Sequence, residues 1–399
     1  MSAVPPGFRP KGAGTGTGAM PHADPRACVD AAVRACPDLP FWPTRPLAVP
    51  AEEMIRQWSL ALPGVDLGHA GSTATVAVGT AAVGAGGAAG AGGAAGAGGV
   101  GTAGAGTVGA GAAGAGGTAA GAGTGAAAGA GTAGAGTAGA AGSRPVWVGR
   151  DRAPGRPGLP AEAVGTLEPF LGALRRRSGG WLKLQATGPI TLALALDAGG
   201  REALTVPSAR GPLAVGYAAR LRSLITRVRE ALPGWKVILV LDEPSLAHPL
   251  VAARPQPAIE LWRALGSTGA DVTGLHCCAI PPWNLVLDLD PQLVSFDAIR
   301  DGDAATDDPA FRRLVEDGAA VAWGLVPANG PAAEDPEAIA ERLLDLVEWT
   351  AGDYLPEVLA RSLVTPTCGL AALSEDEASR RLALSAAAGS RAWSLADLP

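Results

Sequence analysis

The segment VILVLDEP, residues 237–244, is an apolar run that ends in two carboxylates and a proline. Such a run is typical of a β-strand that is buried on both faces, as strands are in a parallel sheet. Five other segments share this form, an apolar run followed by a polar or glycine-containing corner: LKLQATGP (182–189), DVTGLHCC (271–278), QLVSFDA (292–298), AVAWGLVP (320–327) and SLVTPTCG (362–369). The repeated pattern predicts a sheet of parallel strands.

Amphipathic helices are predicted between these strands. Residues 213–232 and 336–349 place apolar side chains three and four positions apart, with charged side chains on the opposite face. Earlier strands are predicted to end near residues 15–18 and to lie near residues 145–149. Alternating strands and helices indicate an α/β protein, and the chain outside the insertion described next suits one TIM (β/α)8 barrel better than two ordinary domains.

A low-complexity insertion occupies residues 70–143 and divides the predicted barrel into two parts, residues 1–69 and 144–399. The insertion is nearly all Gly, Ala and Thr and contains no charged, aromatic, Leu, Ile or Pro residue. Such a segment cannot bury enough apolar surface to offset the entropy lost on ordering a glycine-rich backbone. We therefore expect the insertion to be disordered and to take no part in chemistry.

The overall charge and the cysteines limit the classes of function. The formal net charge is -6, and the basic residues are scattered, so the sequence predicts no nucleic-acid partner. No membrane contact is expected either, because the insertion is rich in Gly and Ala, which insert poorly, and contains no Leu, Ile or Phe. The N-terminal residues lack the apolar stretch of a signal peptide. The five cysteines are an odd number without a paired framework. Reduced thiols and a cytoplasmic location are expected.

Four side chains with metal-binding atoms follow the ends of predicted strands: His276, Cys278, Asp297 and Cys368. Side chains at positions i and i+2 of a strand share one face, so His276 and Cys278 can reach one ion while Cys277 points away. Two thiolates, an imidazole and an exchangeable position are typical of a catalytic zinc site. The alternative is that these are inert buried cysteines, which are common in protein cores.

The acidic pair Asp242 and Glu243 ends another predicted strand. In a barrel all such corners lie at the same rim, which would bring this pair next to the metal-binding residues. The alternative is a solvated turn into a helix, because carboxylates and proline are favoured at a helix start. The shared position at the rim favours an enzyme, with Asp242 and Glu243 as candidate catalytic residues.

Seven motifs together resemble one known family: TGTGAMPH (15–22), LQATGPITLAL (184–194), VLDEPSLA (240–247), GLHCC (274–278), VSFDA (294–298), WGLVPANG (323–330) and TPTCGLA (365–371). Their types and their order along the chain are similar to those of the cobalamin-independent methionine synthases, in the short single-barrel form. That family belongs to a barrel superfamily shared with uroporphyrinogen decarboxylase. The resemblance covers most of the chain outside the insertion.

The resemblance implies a zinc site formed by His276, Cys278 and Cys368. It places the family's carboxylate ligand on Asp297, where the longer enzymes have Glu. This is a departure, because Asp is one methylene shorter and can bind through water or merely orient another ligand.

The resemblance also implies substrate contacts. Asp242 would hold the amino group of an amino-acid substrate, and Thr17 and Gly18 would contact its backbone. Ala19 stands where the family usually has Ser, so one hydrogen bond to the substrate is expected to be missing.

The implied activity is zinc-dependent transfer of a methyl group to the thiol of homocysteine, which forms methionine. The methyl donor is open between methyltetrahydrofolate and methylcobalamin, the latter carried on a partner protein. The alternatives are methylation of another thiol, a uroporphyrinogen decarboxylase-like barrel, and a barrel that binds zinc or a thiol without catalysis. A basic tetrapyrrole pocket would favour the decarboxylase, and a closed four-ligand site would favour the non-catalytic protein.

The remaining notable side chains are predicted to have ordinary structural roles. His248 is expected in a solvent-facing turn, whereas His22 follows the first strand and has a better chance of reaching the rim. Burial without chemistry is predicted for Cys28, Cys36, Trp283 and Trp323.

Overall fold

A computed structural model of the protein describes residues 3–66, 146–147, 158–331 and 335–396. Its central element is a parallel sheet of six strands, in which each strand pairs with the next one along the chain. These strands are β3 (Gly180–Thr187), β4 (Trp235–Asp242), β5 (Val272–Cys277), β6 (Leu293–Asp297), β7 (Ala320–Val326) and β8 (Ser362–Pro366). All six correspond to the apolar runs of the sequence, so the predicted parallel sheet is confirmed.

Two further segments lie along the edges of this sheet. Three single parallel bridges join them to the sheet and to each other: Gly14 with Val364 of β8, Phe41 with Lys183 of β3, and Ala19 with Thr44. Backbone hydrogen bonds support each bridge, at 3.1 Å from the Thr15 amide to Val364, 2.9 Å from the Trp42 amide to Lys183, and 2.9 Å from the Thr44 amide to Gly18. The eight segments thus form a closed ring, which fits a TIM-like barrel.

A strand is present where one was predicted near residues 145–149, but its described residues lie outside this ring, so its predicted place in the barrel is wrong. Val146–Trp147 forms a short strand, β2, that pairs antiparallel with β1 (Val65–Asp66). The second segment of the ring is instead the stretch around Phe41. Pro40 and Pro43 flank its paired residues, and proline has no amide hydrogen for a ladder, so the segment makes few backbone hydrogen bonds and lacks a strand-like pattern. The predicted disorder of residues 70–143 lies outside the described residues.

The helices cover the outer face of the sheet and connect its strands. The described α-helices are α1 (Pro25–Ala35), α2 (Met54–Ser59), α3 (Leu167–Leu174), α4 (Pro189–Ala195), α5 (Pro207–Ala231), α6 (Pro249–Ala253), α7 (Gln256–Ala264), α8 (Trp283–Leu289), α9 (Ala298–Asp307), α10 (Pro309–Glu316), α11 (Pro336–Ala351), α12 (Leu355–Ala360) and α13 (Glu375–Leu395). Both predicted helices are present as α5 and α11. Helix α5 begins earlier than predicted and contains Pro212, whose missing amide removes one helical hydrogen bond. Among the described residues, no helix combines the length and the apolar character needed to cross a membrane.

The two faces of the sheet carry different side chains. Residues on the outer face pack with the helices in the largest apolar cluster, which includes Cys277. A separate cluster fills the interior of the ring and includes Ile238 and Val240 of β4 and Val272 of β5. Because side chains alternate along a strand, Asp242 and His276 continue this inner face toward the carboxyl ends of β4 and β5. The ring is therefore apolar inside at one end and polar at the other.

Candidate metal and substrate site

A cavity of about 170 Å³ opens at the carboxyl ends of the strands. Register places the residues of neighbouring strands side by side there: Thr187 of β3 pairs with Asp242, and Asp242 pairs with His276. The cavity is lined by Thr17, Gly18, Ala19, Thr44, Pro46, Glu52, Met54, Gln57, Trp58, Gln185, Ala186, Thr187, Asp242, Pro244, His276, Cys278, Cys368 and Gly369. Asp242, His276, Cys278 and Cys368 are four of the six side chains predicted to meet at one rim, and they line this cavity. The other two, Glu243 and Asp297, are not among the described residues that line it.

His276, Cys278 and Cys368 come together at one wall of this cavity. One potential ligand atom from each lies within 4.8 Å of the other two, and the group is able to bind a metal ion. His276 is buried, and its Nδ1 lies 2.9 Å from Oγ of Ser295 on the neighbouring strand. This contact leaves Nε2 as the ring nitrogen available for a metal. Cys277 points to the outer cluster, as the alternation of the strand predicts.

The two thiols of this group share a hydrogen bond that separates their acidities. The hydrogen bond from Cys278, followed by the contact with His276, lowers the pKa of the Cys368 thiol well below its usual range. The same hydrogen bond, together with burial, raises the pKa of Cys278. Cys368 is therefore the thiol that ionises first. A thiolate, a second thiol and an imidazole form the soft donor set that suits zinc.

Asp297 lies outside this group of three ligand atoms and has a local structural contact. Its Oδ1 accepts hydrogen bonds from the backbone amides of Ile299 at 3.2 Å and Arg300 at 3.1 Å, which caps helix α9. Its Oδ2 lies 4.0 Å from the Arg300 guanidinium. Burial raises the pKa of the Asp297 carboxyl. A role for Asp297 as a fourth ligand remains a proposal.

The adjacent carboxylates Asp242 and Glu243 occupy different environments. Asp242 lines the cavity, and its Oδ1 accepts a hydrogen bond of 2.5 Å from Nε2 of Gln185. Burial raises the pKa of Asp242 to about 6, against the lowering effects of His276 and Lys183. Asp242 is thus the member of the pair that a molecule in the cavity can contact.

Glu243 is fully buried and is not among the described residues that line the cavity. Its carboxylate accepts hydrogen bonds from the backbone amides of Ile190 at 2.9 Å and Thr191 at 2.7 Å, at the start of helix α4. Burial raises the pKa of Glu243 to about 7. In this position Glu243 connects β4 to the helix behind the cavity, and its predicted catalytic role stays untested.

Thr17 and Gly18 both line the cavity, where the sequence places the substrate backbone. Gly18 has φ of 102°, a conformation that residues with a side chain rarely adopt. The Thr17 hydroxyl oxygen is buried and has no hydrogen-bond partner in the described part of the chain. Because an unpaired buried hydroxyl is costly, a ligand in the cavity is a natural partner for Thr17.

The opposite wall of the cavity was not predicted from the sequence. Met54, Gln57 and Trp58 of the short helix α2 form part of it. Hydrogen bonds anchor this helix: Thr187 Oγ1 donates to the Met54 carbonyl at 2.6 Å, and a guanidinium nitrogen of Arg220 donates to the Trp58 carbonyl at 3.0 Å. Nothing in the pattern of residues 54–59 distinguishes them from an ordinary surface helix.

Gln185 and Ser295 were also missed, although a signal exists for both. They are polar residues at inward positions of otherwise apolar strands, and Lys183 precedes Gln185 on the same face. Polar side chains on the buried face of a strand need partners, and strand periodicity alone identifies them.

The predicted structural roles of other side chains are confirmed. Cys28 and Cys36 are buried. Trp283 packs edge-to-face on Phe296, and Trp323 packs in the same aromatic group. Two further histidines in the described part of the chain differ from each other. His248 lies in a turn and accepts a hydrogen bond of 3.2 Å from the Leu250 amide. His22 is buried 4.0 Å from Glu375 and is not among the described residues that line the cavity.

The fold and the site define a parallel α/β barrel-like protein with one imidazole and two thiols at the carboxyl ends of its strands. No protein-family model matches the chain, and neither does any curated protein. Several solved structures are similar in fold. One is a B12-independent methionine synthase from Shewanella sp. W3-18-1 in complex with selenomethionine, at 14% identity and a TM-score of 0.43, covering 63% of this chain and 70% of that one.

The second similar structure is a methyltransferase from Methanosarcina mazei, at 14% identity and a TM-score of 0.38, covering 57% of this chain and 64% of that one.

Proposed function

We propose that the protein is a zinc-dependent S-methyltransferase with a (β/α)8 barrel, which transfers a methyl group to homocysteine and forms methionine. The observation that supports this proposal is the composition of one cavity. Its walls combine the potential metal-binding group of His276, Cys278 and Cys368 with the carboxylate of Asp242. A small molecule with both a thiol and an amino group can contact the two features at once.

The donor set fits zinc on chemical grounds. Two sulfurs and one imidazole nitrogen are typical protein ligands of Zn²⁺, and three such ligands leave a coordination position for another molecule. A bound zinc ion would lower the pKa of an acceptor thiol, so that the nucleophilic thiolate is present at neutral pH. Asp297 is proposed as a further ligand or as a group that orients one, in keeping with the family resemblance.

The protein's own residues would bind and orient the acceptor. Asp242 would accept hydrogen bonds from the ammonium group, because it lines the cavity and Gln185 occupies only its Oδ1. Thr17 would donate its otherwise unpaired hydroxyl to the acceptor's carboxylate, which offsets the lack of a serine at Ala19. Together with a sulfur held near Cys278 and Cys368, these contacts would fix the acceptor at three points.

The proposed reaction forms one bond and breaks one. The acceptor sulfur uses a lone pair to bond the methyl carbon, the bond between that carbon and the donor breaks, and the donor keeps the electron pair. The acceptor thiol also loses its proton. With methyltetrahydrofolate, one proton is taken up at the nitrogen that loses the methyl group, whereas with methylcobalamin the electron pair stays on cobalt. Methyltetrahydrofolate and methylcobalamin can both leave with the electron pair, so the proposal includes either as the donor.

The other enzyme of the superfamily has less support. A uroporphyrinogen decarboxylase-like site needs basic residues for several carboxylates, yet the described residues that line the cavity include neither Lys nor Arg. A non-catalytic barrel would hold its metal in a closed set of four ligands, whereas the group found here has three and faces the cavity. The thiols at the site work only when reduced, so a cytoplasmic location is part of the proposal.

The proposal is tested by the zinc content of the purified protein and by methionine formation from homocysteine, with each methyl donor in parallel. We expect about one zinc per chain and turnover with one donor. Cys278→Ser and Cys368→Ser should each lower zinc content and turnover, by roughly 100-fold for turnover. Cys28→Ala, which changes a buried cysteine of another cluster, is the matched control and should keep its zinc. Full zinc and full activity in both serine variants would contradict the proposal.

A further inference from the structure

A buried lysine lies inside the ring next to the cavity. The sequence contains three lysines, and Lys183 is the one on the inner face of β3, with 3% of its surface exposed. An ammonium group is rarely buried unless it is paired, because removing it from water is costly. Burial lowers the pKa of Lys183 to about 8, and Asp242 opposes this effect. The position of this lysine therefore calls for a specific role.

The hydrogen bonds of Lys183 have a defined direction. Its Nζ donates to the Gly16 carbonyl at 2.7 Å and to Oε1 of Gln185. A protonated lysine can only donate, so the Gln185 side chain must turn its oxygen toward Lys183 and its amide nitrogen away. That nitrogen then donates to Oδ1 of Asp242. Lys183 thus fixes the orientation of Gln185, and Gln185 fixes the orientation of Asp242.

Asp242 is the carboxylate of this cavity that remains for a positively charged ligand. The described residues that line the cavity include one other acidic side chain, Glu52. Glu52 is fully engaged by Arg45, with contacts of 2.7 Å to the guanidinium and 2.6 Å to the backbone amide. An amino group in the cavity would therefore bind at Asp242.

The same lysine also holds the opposite side of the substrate site. Gly16, whose carbonyl accepts its second hydrogen bond, directly precedes Thr17 and Gly18, which line the cavity. One ammonium group therefore connects the corner at Thr17 with the carboxylate at Asp242.

We propose that Lys183, acting through Gln185, is a positioning residue that holds Asp242 in place for the ammonium group of the acceptor and thereby selects acceptors that have an amino group. This inference rests on the proposed function. It adds two residues, Lys183 and Gln185, that determine specificity for amino-acid thiols over simple thiols.

The test compares two thiols that differ in the amino group, homocysteine and 4-sulfanylbutanoate, by calorimetric binding to the zinc-loaded protein. The wild-type protein should prefer homocysteine. In Lys183→Met this preference should fall roughly tenfold or more, because one charge-assisted hydrogen-bond system is lost, while the affinity for 4-sulfanylbutanoate and the zinc content stay unchanged. The KM for homocysteine should rise more than kcat falls.

Two further variants make the result decisive. Gln185→Met keeps Lys183 but removes the hydrogen bonds that link it to Asp242. It should reduce the preference for homocysteine as Lys183→Met does. If Lys183→Met does not fold, Gln185→Met takes its place in the test. Lys236→Met changes a lysine that is 61% exposed on the neighbouring strand and should leave the preference unchanged. A wild-type preference that persists in Lys183→Met and Gln185→Met overturns the inference, whereas a wild-type protein that binds neither thiol overturns the proposed function instead.

Discussion

At the scale of single residues, the site depends on side chains that contact the potential metal ligands without being ligands themselves. Ser295 is the clearest case, because its hydroxyl lies 2.9 Å from Nδ1 of the buried His276. This contact holds the imidazole plane and leaves Nε2 available. A residue of the neighbouring strand thereby orients a potential ligand.

We expect Ser295→Ala to weaken zinc binding by roughly 10- to 100-fold, because partners of metal-binding histidines typically contribute this much to affinity. Competition with a chelator of known affinity measures the effect. Ser295→Thr retains the hydroxyl and should restore most of the affinity. Ser394→Ala removes an exposed hydroxyl in the last turn of helix α13, which is not among the described residues that line the cavity, and serves as the control. Unchanged zinc affinity in Ser295→Ala would show that the contact does not position the ring.

Individual site residues were predictable where strand periodicity applies. His276 and Cys278 share one face because they are two positions apart, and the structure brings them together with Cys368. Periodicity also places Asp242 and Glu243 on opposite faces of the strand. Both are nevertheless predicted to be catalytic, because they are adjacent in the sequence. The cap formed by Asp297 could not be foreseen, because it depends on where helix α9 begins.

At the scale of elements, the connection from β3 to α4 is built around a close contact. A Cβ atom on Gly188 would lie 2.1 Å from Cδ of Glu243, the carboxyl group that accepts hydrogen bonds from the start of α4. Glycine at this position therefore allows Glu243 to reach the helix. Strand β4 and helix α4 are held together at this point, directly behind the cavity wall.

Gly188→Ala should lower the free energy of unfolding by about 2 kcal/mol or more, because the added methyl group overpacks a buried site. Gly172→Ala is the matched control in helix α3, where an added Cβ meets no heavy atom within 4 Å. There the substitution should raise the free energy of unfolding by about 0.5–1 kcal/mol, through helix propensity. Urea denaturation of the wild-type protein and the two variants measures both changes. A Gly188→Ala protein that is as stable as the Gly172→Ala protein would refute the role given to Gly188.

The strands were predictable as elements because each apolar run is bounded by a polar or glycine-containing corner. The segment around Phe41 was missed for a physical reason. It joins the ring through its contacts with β3 and with Gly18 rather than through a strand-forming sequence, and its prolines interrupt the expected pattern.

At the scale of the whole molecule, the short hairpin of β1 and β2 explains how the ring tolerates residues 67–145. Asp66 and Val146 are direct partners in an antiparallel register, so the chain leaves and returns at adjacent positions. Because this pair of strands lies outside the ring, we expect the pairing of the ring strands not to depend on the length between these two residues.

Replacing residues 67–145 by an Asn-Gly turn should therefore preserve zinc content and methyl transfer, because a two-residue turn suffices to join paired antiparallel strands. The thermal midpoint should stay equal or rise, since a shorter loop has a smaller closure entropy. Zinc analysis, the methyl-transfer assay and thermal unfolding of the shortened protein test this. Loss of zinc or of activity in a shortened protein that still folds would assign these residues a part in the site.

The closure of the ring has a consequence for how the protein is made. The segment at Gly14 pairs with Val364, so the ring joins its first segment to its last strand, β8, and Cys368 follows that strand. During synthesis His276 and Cys278 emerge from the ribosome well before Cys368. A nascent chain can form most of the sheet but cannot assemble the complete group of three donors until Cys368 has been made, so a metal that needs all three donors would bind only after the last strand of the ring.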